Sequence, residues 1–132
     1  MPSPPKILIV DDQADFRAIL QLALDSAGFD LTFAENGATA LRRIQETAPD
    51  LILLDMRMPE MDGVELLRRL RAQEHLKYLP VVFLTGSALD ADELTTILEL
   101  DPADFITKSV SARELIARIH WVLRRTNHRP AA

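Results

Sequence analysis

The stretch LILLDMRMPEMDG, residues 51–63, decides how the rest of the chain is organised. Four consecutive apolar residues, 51–54, lead directly into Asp55, and a turn with Pro59 and Gly63 follows. A short apolar run bounded by turn residues indicates a strand buried on both faces, as in a parallel sheet. Asp55 then lies at the carboxyl end of that strand, where open α/β sheets bind their ligands. Taken alone, Asp55 is equally well explained as a capping or turn residue.

The same pattern of a strand followed by a helix occurs five times along the chain. The predicted strands are residues 6–10, 31–34, 51–54, 81–84 and 105–107. This alternation predicts a parallel sheet with helices on both faces and right-handed crossovers. At 132 residues the chain suits one doubly wound domain, because a barrel of such units needs about 250 residues. We expect the domain to span residues 6–125, with residues 1–5 as an amino-terminal tail and 126–132 as a carboxyl-terminal tail or the start of a linker.

Turn and charge signals place the ends and faces of the helices. Gly28 is expected to end the first helix and Pro49 the second. In the third helix Arg68, Arg69 and Arg71 are expected to face water.

Composition excludes several functional classes. A net charge of −5 gives no basic footprint, so we expect no direct nucleic-acid binding by this chain. No apolar run approaches membrane-spanning length, and residues 1–6 lack the apolar segment of a secretory signal. The absence of cysteine excludes disulfides and thiol catalysis and fits a cytoplasmic protein, which is the expected location.

Polar residues with complementary chemistry follow four of the predicted strands. Asp11 and Asp12 follow the first strand, Asp55 the third, Thr85 the fourth and Lys108 the fifth. The carboxyl ends of parallel strands share one edge of the sheet, so these groups can converge. Three crowded carboxylates repel one another, and a hard divalent cation such as Mg²⁺ removes that cost. The strand ends therefore predict a magnesium site.

A phosphoryl group fits beside such a cation. The metal, the Lys108 ammonium and the Thr85 hydroxyl would share the oxygens of the transferring group. One carboxylate must then accept it, since acyl phosphates on aspartate are an established covalent route. Asp55 is the best candidate because it is single and central, whereas Asp11 and Asp12 are better placed to hold metal.

The motifs IVDD, LLDMRMPEMDG, LTG and ITK, in this order on four strand ends, resemble the receiver domain of two-component response regulators. The resemblance covers residue 6 to about residue 125. It implies the flavodoxin-like strand order 2-1-3-4-5, with five helices flanking the sheet. It also implies a signalling phosphoacceptor domain that assists its own phosphorylation and dephosphorylation, and not an enzyme that turns over outside substrates.

The resemblance further implies a role for each site residue. Asp55 accepts phosphate from a phosphohistidine of a histidine kinase or phosphotransfer protein. Asp12 binds Mg²⁺ directly, Asp11 largely through water, and Asp55 and the Arg57 carbonyl complete the protein ligands. Lys108 bridges to the phosphoryl group.

Two further positions are implied to switch conformation on activation. Thr85 moves toward the phosphoryl group, and Phe105 matches the aromatic switch position. The backbone amides of Arg57 and Gly86 face the phosphoryl oxygens.

Two positions depart from the family pattern. Ser109 stands where proline, commonly after a cis bond, usually follows the lysine. A cis bond before a non-proline residue costs roughly 2.5–4 kcal/mol, so the geometry of the Lys108–Ser109 bond stays open. Asp101-Pro102 stands where Gly-Ala is usual, and Pro102 stiffens a segment next to the switch residues.

Three other functions stay open. A receiver-like scaffold could bind partners without phosphorylation. A phosphohydrolase with an aspartyl nucleophile commonly needs an acid two residues later, where this chain has Arg57. A flavodoxin-type cofactor binder would need a phosphate loop after the first strand, where Asp11 and Asp12 would repel phosphate.

The expected partners also include a downstream effector or output domain, and a second copy of this chain. A homodimer would use the fourth helix, the fifth strand and the fifth helix. Trp121 is expected either to be a half-buried rim residue or to form part of such a dimer or partner surface with the fourth helix. Four charged residues could pair across that interface: Arg113, Arg118, Asp101 and Asp104.

Overall fold

A computed structural model describes residues 3–86 and 89–127. Of the predicted tails, residues 1–2 and 128–132 lie outside this range. The strands are β1 (Lys6–Val10), β2 (Asp30–Ala34), β3 (Leu51–Asp55), β4 (Val81–Thr85) and β5 (Asp104–Thr107). The helices are α1 (Ala14–Asp25), α2 (Gly37–Thr47), α3 (Gly63–Arg71), α4 (Ala91–Glu99) and α5 (Ala112–Asn127), with a short 3-10 turn at Glu74–Leu76.

All strand pairs are parallel, and the order across the sheet is β2-β1-β3-β4-β5. This is the doubly wound, flavodoxin-like arrangement that the alternation and the resemblance predicted. Every residue of β3 and β4 is buried, because both strands lie inside the sheet with helices on each face. The two edge strands, β2 and β5, carry half-buried residues.

Each face of the sheet has its own hydrophobic core, because successive side chains of a strand point to opposite faces. Leu8 and Val10 of β1 pack into the core beneath α2, α3 and α4. Ile7 and Ile9 of the same strand pack into the core beneath α1 and α5. The sheet is therefore held rigidly on both sides, and its carboxyl edge is a fixed platform for side chains.

Side-chain caps fix where several helices begin. Asn36, Asp62 and Ser111 each accept a hydrogen bond from the backbone amide three residues later. Asp90 and Glu93 form a reciprocal capping box at the start of α4. Each cap satisfies a backbone donor that the first turn of a helix leaves without a partner.

One helix end agrees with the sequence predictions and one differs in detail. Helix α1 ends at Asp25, three residues before Gly28, which adopts φ 80° in the following turn. Helix α2 ends at Thr47, and Ala48 takes the left-handed conformation before Pro49. Helix α2 therefore ends next to Pro49, as predicted, whereas α1 ends three residues before Gly28.

The prediction that Arg71 faces water was wrong. Its guanidinium donates hydrogen bonds to the carbonyls of Leu79, Leu100 and Asp101, at 2.8, 3.1 and 3.1 Å respectively. Arg71 thereby joins the end of α3 to the segments that enter β4 and β5. Arg68 and Arg69 do lie at the surface, where both pair with Glu65.

Candidate functional site

Three carboxylates converge at the carboxyl edge of the sheet. Asp11 follows β1 directly, Asp12 is the next residue, and Asp55 ends β3. One carboxylate oxygen from each lies within 4.8 Å of the others. Asp11 and Asp55 are 2% and 6% exposed, whereas Asp12 is exposed. The site is therefore an acidic pocket with one solvent-facing side.

Local hydrogen bonds hold Asp11 in place. Its carboxylate accepts from the Gln13 amide at 2.8 Å, and its backbone amide donates to the Ala34 carbonyl at 3.1 Å. The Arg17 guanidinium donates to the Asp11 carbonyl at 2.6 Å. Arg17 was not singled out from the sequence, since nothing in its spacing distinguishes it from an ordinary exposed helix residue.

Lys108 supplies the positive charge of the pocket. Its ammonium lies 2.8 Å from an Asp11 oxygen and 3.4 Å from an Asp55 oxygen. Its backbone amide donates to the Thr85 carbonyl at 2.8 Å, which fixes the start of the side chain beside β4. The ammonium also lies 4.4 Å from the centre of the Phe16 ring, a cation–π contact that the sequence did not reveal.

The environment of Asp55 opposes its ionisation. Burial raises the pKa of this carboxyl above its ordinary value, and the negative charge of Asp11 raises it further. Lys108 and the Arg57 amide, which donates to Asp55 at 3.4 Å, lower the pKa but do not reverse the shift. An added cation would relieve this cost, because an opposite charge favours the ionised form.

The donor set fits a hard divalent cation. All three side chains offer carboxylate oxygens, which are the ligands that Mg²⁺ prefers. Burial and the charge of Asp11 raise the pKa of Asp55 despite the nearby Lys108 ammonium, so a further positive charge would favour the ionised carboxylate. The acidic cluster is thus consistent with the predicted metal site at Asp11, Asp12 and Asp55.

Thr85 and Gly86 lie beside this pocket at the end of β4, whereas Phe105 lies within β5. Thr85 ends β4, is buried, and lies opposite Thr107 in the parallel register. A Cβ added to Gly86 would lie 3.8 Å from the Lys108 side chain, which places Gly86 beside that side chain. Phe105 is half-buried and its ring centre lies 6.3 Å from that of Phe83. The structure therefore brings together all the strand-end residues that the sequence selected.

Gly63 allows the loop after β3 to pack closely beneath the site. Its amide donates to the Met56 carbonyl at 2.9 Å. A Cβ at this position would collide with the Asp55 carbonyl oxygen and lie 3.0 Å from the Phe83 ring. Only glycine fits this approach of α3 to the Asp55 backbone.

Arg57 links the site to α4 through a contact that the sequence did not predict. Its guanidinium donates to the Glu93 carboxylate at 2.8 Å, and its side chain is about half exposed. The two residues are 36 positions apart, so no local pattern could have paired them. The contact connects the loop that follows Asp55 to the first turn of α4.

The two departures from the family pattern leave Lys108 in reach of the pocket. The Lys108–Ser109 peptide is trans, as are the other peptide bonds of the described residues. The Ser109 hydroxyl lies 3.0 Å from that of Thr107. At the other departure Asp101 adopts φ 54°, and Arg71 holds its carbonyl.

The fold and the site define a class of protein. It is an α/β module with an acidic, lysine-bridged pocket at the carboxyl edge of its sheet. The family model for the response regulator receiver domain matches residues 7–120. The chain belongs to this family and is a receiver domain of the two-component response regulator type.

Curated relatives and solved structures support the assignment. The chain is 44% identical over 120 residues to the phosphate regulon transcriptional regulatory protein PhoB of Pseudomonas aeruginosa, covering 91% of this chain and 52% of that protein. It is 34% identical to the solved receiver domain of a signal transduction histidine kinase from Syntrophus aciditrophicus, with TM-score 0.85 and coverage of 97% and 96%. A solved CheY-like receiver domain protein from Methanospirillum hungatei gives TM-score 0.86 at 26% identity, with coverage of 95% and 98%.

The chain spans about half the length of the curated relatives that it matches. Within the described residues, no helix is both long enough and apolar enough to cross a membrane.

Proposed function

We propose that this domain accepts a phosphoryl group on Asp55 from a phosphohistidine of a histidine kinase or phosphotransfer protein, in a Mg²⁺-dependent reaction. One observation carries the proposal: the Lys108 ammonium lies between two buried carboxylates, 2.8 Å from Asp11 and 3.4 Å from Asp55. In this position the Lys108 ammonium can contact the oxygens of a group attached to Asp55 while it neutralises Asp11.

The chemistry requires little beyond positioning and charge. A carboxylate oxygen of Asp55 attacks phosphorus, and the new P–O bond forms as the P–N bond to histidine breaks. The leaving imidazole keeps the electron pair and becomes neutral after it takes up a proton. Lys108 stabilises charge on the phosphoryl oxygens, and the amides of Arg57 and Gly86 donate to the same oxygens.

The acidic residues would hold the metal. Asp12 is assigned as a direct ligand, Asp11 as one that acts largely through water, and Asp55 and the Arg57 carbonyl complete the set. When bound, Mg²⁺ supplies positive charge that lets Asp55 ionise and a phosphoryl group approach it.

Phosphorylation would then shift the domain between two conformations. We assign the switch to Thr85, which moves toward the phosphoryl group, and Phe105, whose ring follows. Two observations support this assignment: Thr85 ends β4 beside the pocket, and Phe105 is half-buried against the core rather than locked within it. A phosphoryl group that binds the Thr85 hydroxyl favours the active conformation.

The surface that reads the switch is assigned to α4, β5 and α5. Leu94 and Leu98 of α4 and Trp121 of α5 are 43%, 63% and 47% exposed. A homodimer or an effector could cover them. Arg118 and Asp104, which the sequence suggested could pair across this surface, are paired within the chain at 3.0 Å.

The output lies with a partner rather than with direct nucleic-acid binding by this chain. The curated relatives are transcriptional regulators about twice its length. We therefore place a downstream effector or output domain after the switch. We propose residues 6–125 as the receiver, residues 1–5 as an amino-terminal tail and residues 126–132 as a carboxyl-terminal tail or the start of a linker. The proposed location is cytoplasmic.

The competing functions gain less support. A phosphohydrolase would need a general acid near position 57, and the Arg57 guanidinium is bound to Glu93. A scaffold that works without phosphate would have no need of a buried pair such as Asp11 and Asp55, whose repulsion has a cost.

Intact-mass spectrometry with a small-molecule phosphodonor tests the proposal. We expect one added phosphoryl group on the native chain with Mg²⁺, and none without Mg²⁺ or in Asp55→Ala. Asp50→Ala, a change outside the pocket, should still gain the group. If no adduct forms and no metal-fluoride phosphoryl mimic binds, the phosphate-independent scaffold becomes the better account.

A further inference from the structure

A cleft lies at the edge of the sheet opposite the acidic pocket. It encloses about 540 Å³ and opens beside the last turns of α5, where β4 and β5 begin. Pro80, directly before β4, and Ala103, directly before β5, line it. A five-residue strand is about 16 Å long, so the cleft is separate from Asp55. Its volume lies within the range of small-molecule sites.

The cleft concentrates positive charge in a chain whose net charge is −5. Its lining includes four cations and one carboxylate, that of Asp101. The four cations are Arg71, Lys77, Arg124 and Arg125. We call this surface the basic cleft. A local excess of cations attracts an anionic ligand even when the whole protein is acidic.

Two of these cations lie against aromatic rings of the same cleft. The Arg125 guanidinium carbon is 4.3 Å from the centre of the Trp121 ring, and the Lys77 ammonium is 5.2 Å from that of Tyr78. The rings of Trp121 and Tyr78 belong to residues that are 47% and 51% exposed. A guanidinium stacked on a ring forms a flat platform on which a planar base can stack.

The floor of the cleft is held in place before any ligand binds. Arg71 donates to carbonyls of the segments that enter β4 and β5. A ligand therefore meets a wall whose backbone is already ordered, and less binding energy is lost to ordering it.

We propose that the basic cleft binds a nucleotide. The base stacks on the platform of Trp121 and Arg125, and the phosphates contact Arg124 and Arg125. Lys77 contributes less, since it already pairs with Glu74 at 2.8 Å. An acidic peptide would engage the cations but leave the flat platform without a matching group. The assignment does not depend on phosphorylation of Asp55, which the cleft does not include.

Calorimetric titration of the unphosphorylated chain tests this site, with Mg²⁺ removed so that phosphates do not gather at the acidic pocket. The probes are ATP and GTP, with tripolyphosphate as the ligand without a base and adenosine as the ligand without phosphate. We expect saturable binding of a nucleotide and much weaker binding of the two partial ligands. Trp121 is the only tryptophan of the chain, so its fluorescence should change in the same titration.

Variants locate the site. Arg125→Gln and Trp121→Leu should each weaken nucleotide binding about tenfold, the loss expected for one charge-assisted contact or one stacking interaction. Arg113→Gln, an exposed arginine at the other end of α5, should bind like the native chain. Absence of saturable binding, equal binding of tripolyphosphate, or equal affinity of the Arg125 and Trp121 variants would overturn the proposal. Phosphorylation of Asp55 is measured separately and is expected to be normal in all three variants.

Discussion

The Lys108 ammonium lies closer to Asp11, at 2.8 Å, than to Asp55, at 3.4 Å. Lys108 is therefore the main counter-charge of Asp11 when no metal is bound, and Asp55 is compensated less. Burial and the negative charge of Asp11 raise the pKa of Asp55, and Lys108 offsets only part of this rise. The ionised Asp55 carboxylate is therefore destabilised in the metal-free pocket, and a bound divalent cation would stabilise it.

Removal of the lysine charge should destabilise the metal-free protein. In Lys108→Met, Asp11 loses a charged partner while it stays buried, so we expect the free energy of unfolding to fall by about 2 kcal/mol. Urea denaturation at neutral pH measures this change. Lys77→Met, at a surface lysine paired with Glu74, should stay close to the native value. Equal stability of the two variants would contradict the assigned role of Lys108.

Metal affinity should depend on the carboxylates of the acidic pocket. We expect Asp12→Asn to weaken Mg²⁺ binding about tenfold or more, which corresponds to about 1.4 kcal/mol, because one negative oxygen ligand is lost. Calorimetric titration with Mg²⁺ provides the measurement. Asp30→Asn, at an exposed aspartate where β2 begins, is the matched control and should bind like the native chain. Unchanged affinity of Asp12→Asn would remove Asp12 from the ligand set.

Asp55 should make the metal-free fold less stable as pH rises. Its pKa is raised above the ordinary 3.8 in the folded state, so the folded protein holds this proton more tightly than the unfolded chain. Stability from this group is therefore greatest below pH 3.8 and decreases through the window between 3.8 and the raised pKa. We expect Asp55→Asn to be more stable than the native chain at neutral pH.

Urea denaturation across a pH series checks the sign of this effect. The advantage of Asp55→Asn should shrink as pH falls toward 3.8, and saturating Mg²⁺ should remove or reverse it, because the cation binds the native carboxylate. If the stability advantage of Asp55→Asn grew toward low pH, the surroundings of Asp55 would favour its ionised form, contrary to this prediction.

Two glycines near the site should differ sharply in tolerance of a methyl group. Gly63→Ala forces a Cβ into the Asp55 carbonyl, so we expect a loss of about 1–3 kcal/mol in unfolding free energy and weaker phosphorylation. Among the described residues, Gly86→Ala meets the Lys108 side chain alone, at 3.8 Å, so its stability should change little. Thermal denaturation of the two variants, run together, distinguishes them. A stable Gly63→Ala would mean that the α3 backbone can move away without cost.

The sequence was sufficient to predict the architecture because the required signals are local. Buried strands such as β3 and β4 are continuous apolar runs, and helix periodicity between them indicates which face is buried. Parallel strands then bring Asp11, Asp55 and Lys108 to one edge whatever the details of the loops. For this reason, the strand-end residues could be selected before their distances were known.

Contacts between distant surface groups could not be predicted in this way. Arg57 and Glu93 meet because α4 begins near the loop after β3, which depends on the packing of whole helices. Arg71 resembles its neighbours Arg68 and Arg69 in sequence, yet it turns toward three backbone carbonyls. Phe16 of α1 contacts the Lys108 ammonium, and this contact depends on the positions of both residues in space.

The measurement that tests the central claim most directly is the location of the phosphoryl group. The chain is phosphorylated with Mg²⁺ and a small-molecule donor, and the acyl phosphate is reduced with borohydride, which converts the modified aspartate to homoserine. Peptide mass spectrometry then identifies the residue. Homoserine at position 55 alone is the predicted result. Homoserine at position 11 or 12, or at no aspartate while the intact mass shows an adduct, would contradict the assignment of Asp55 as acceptor.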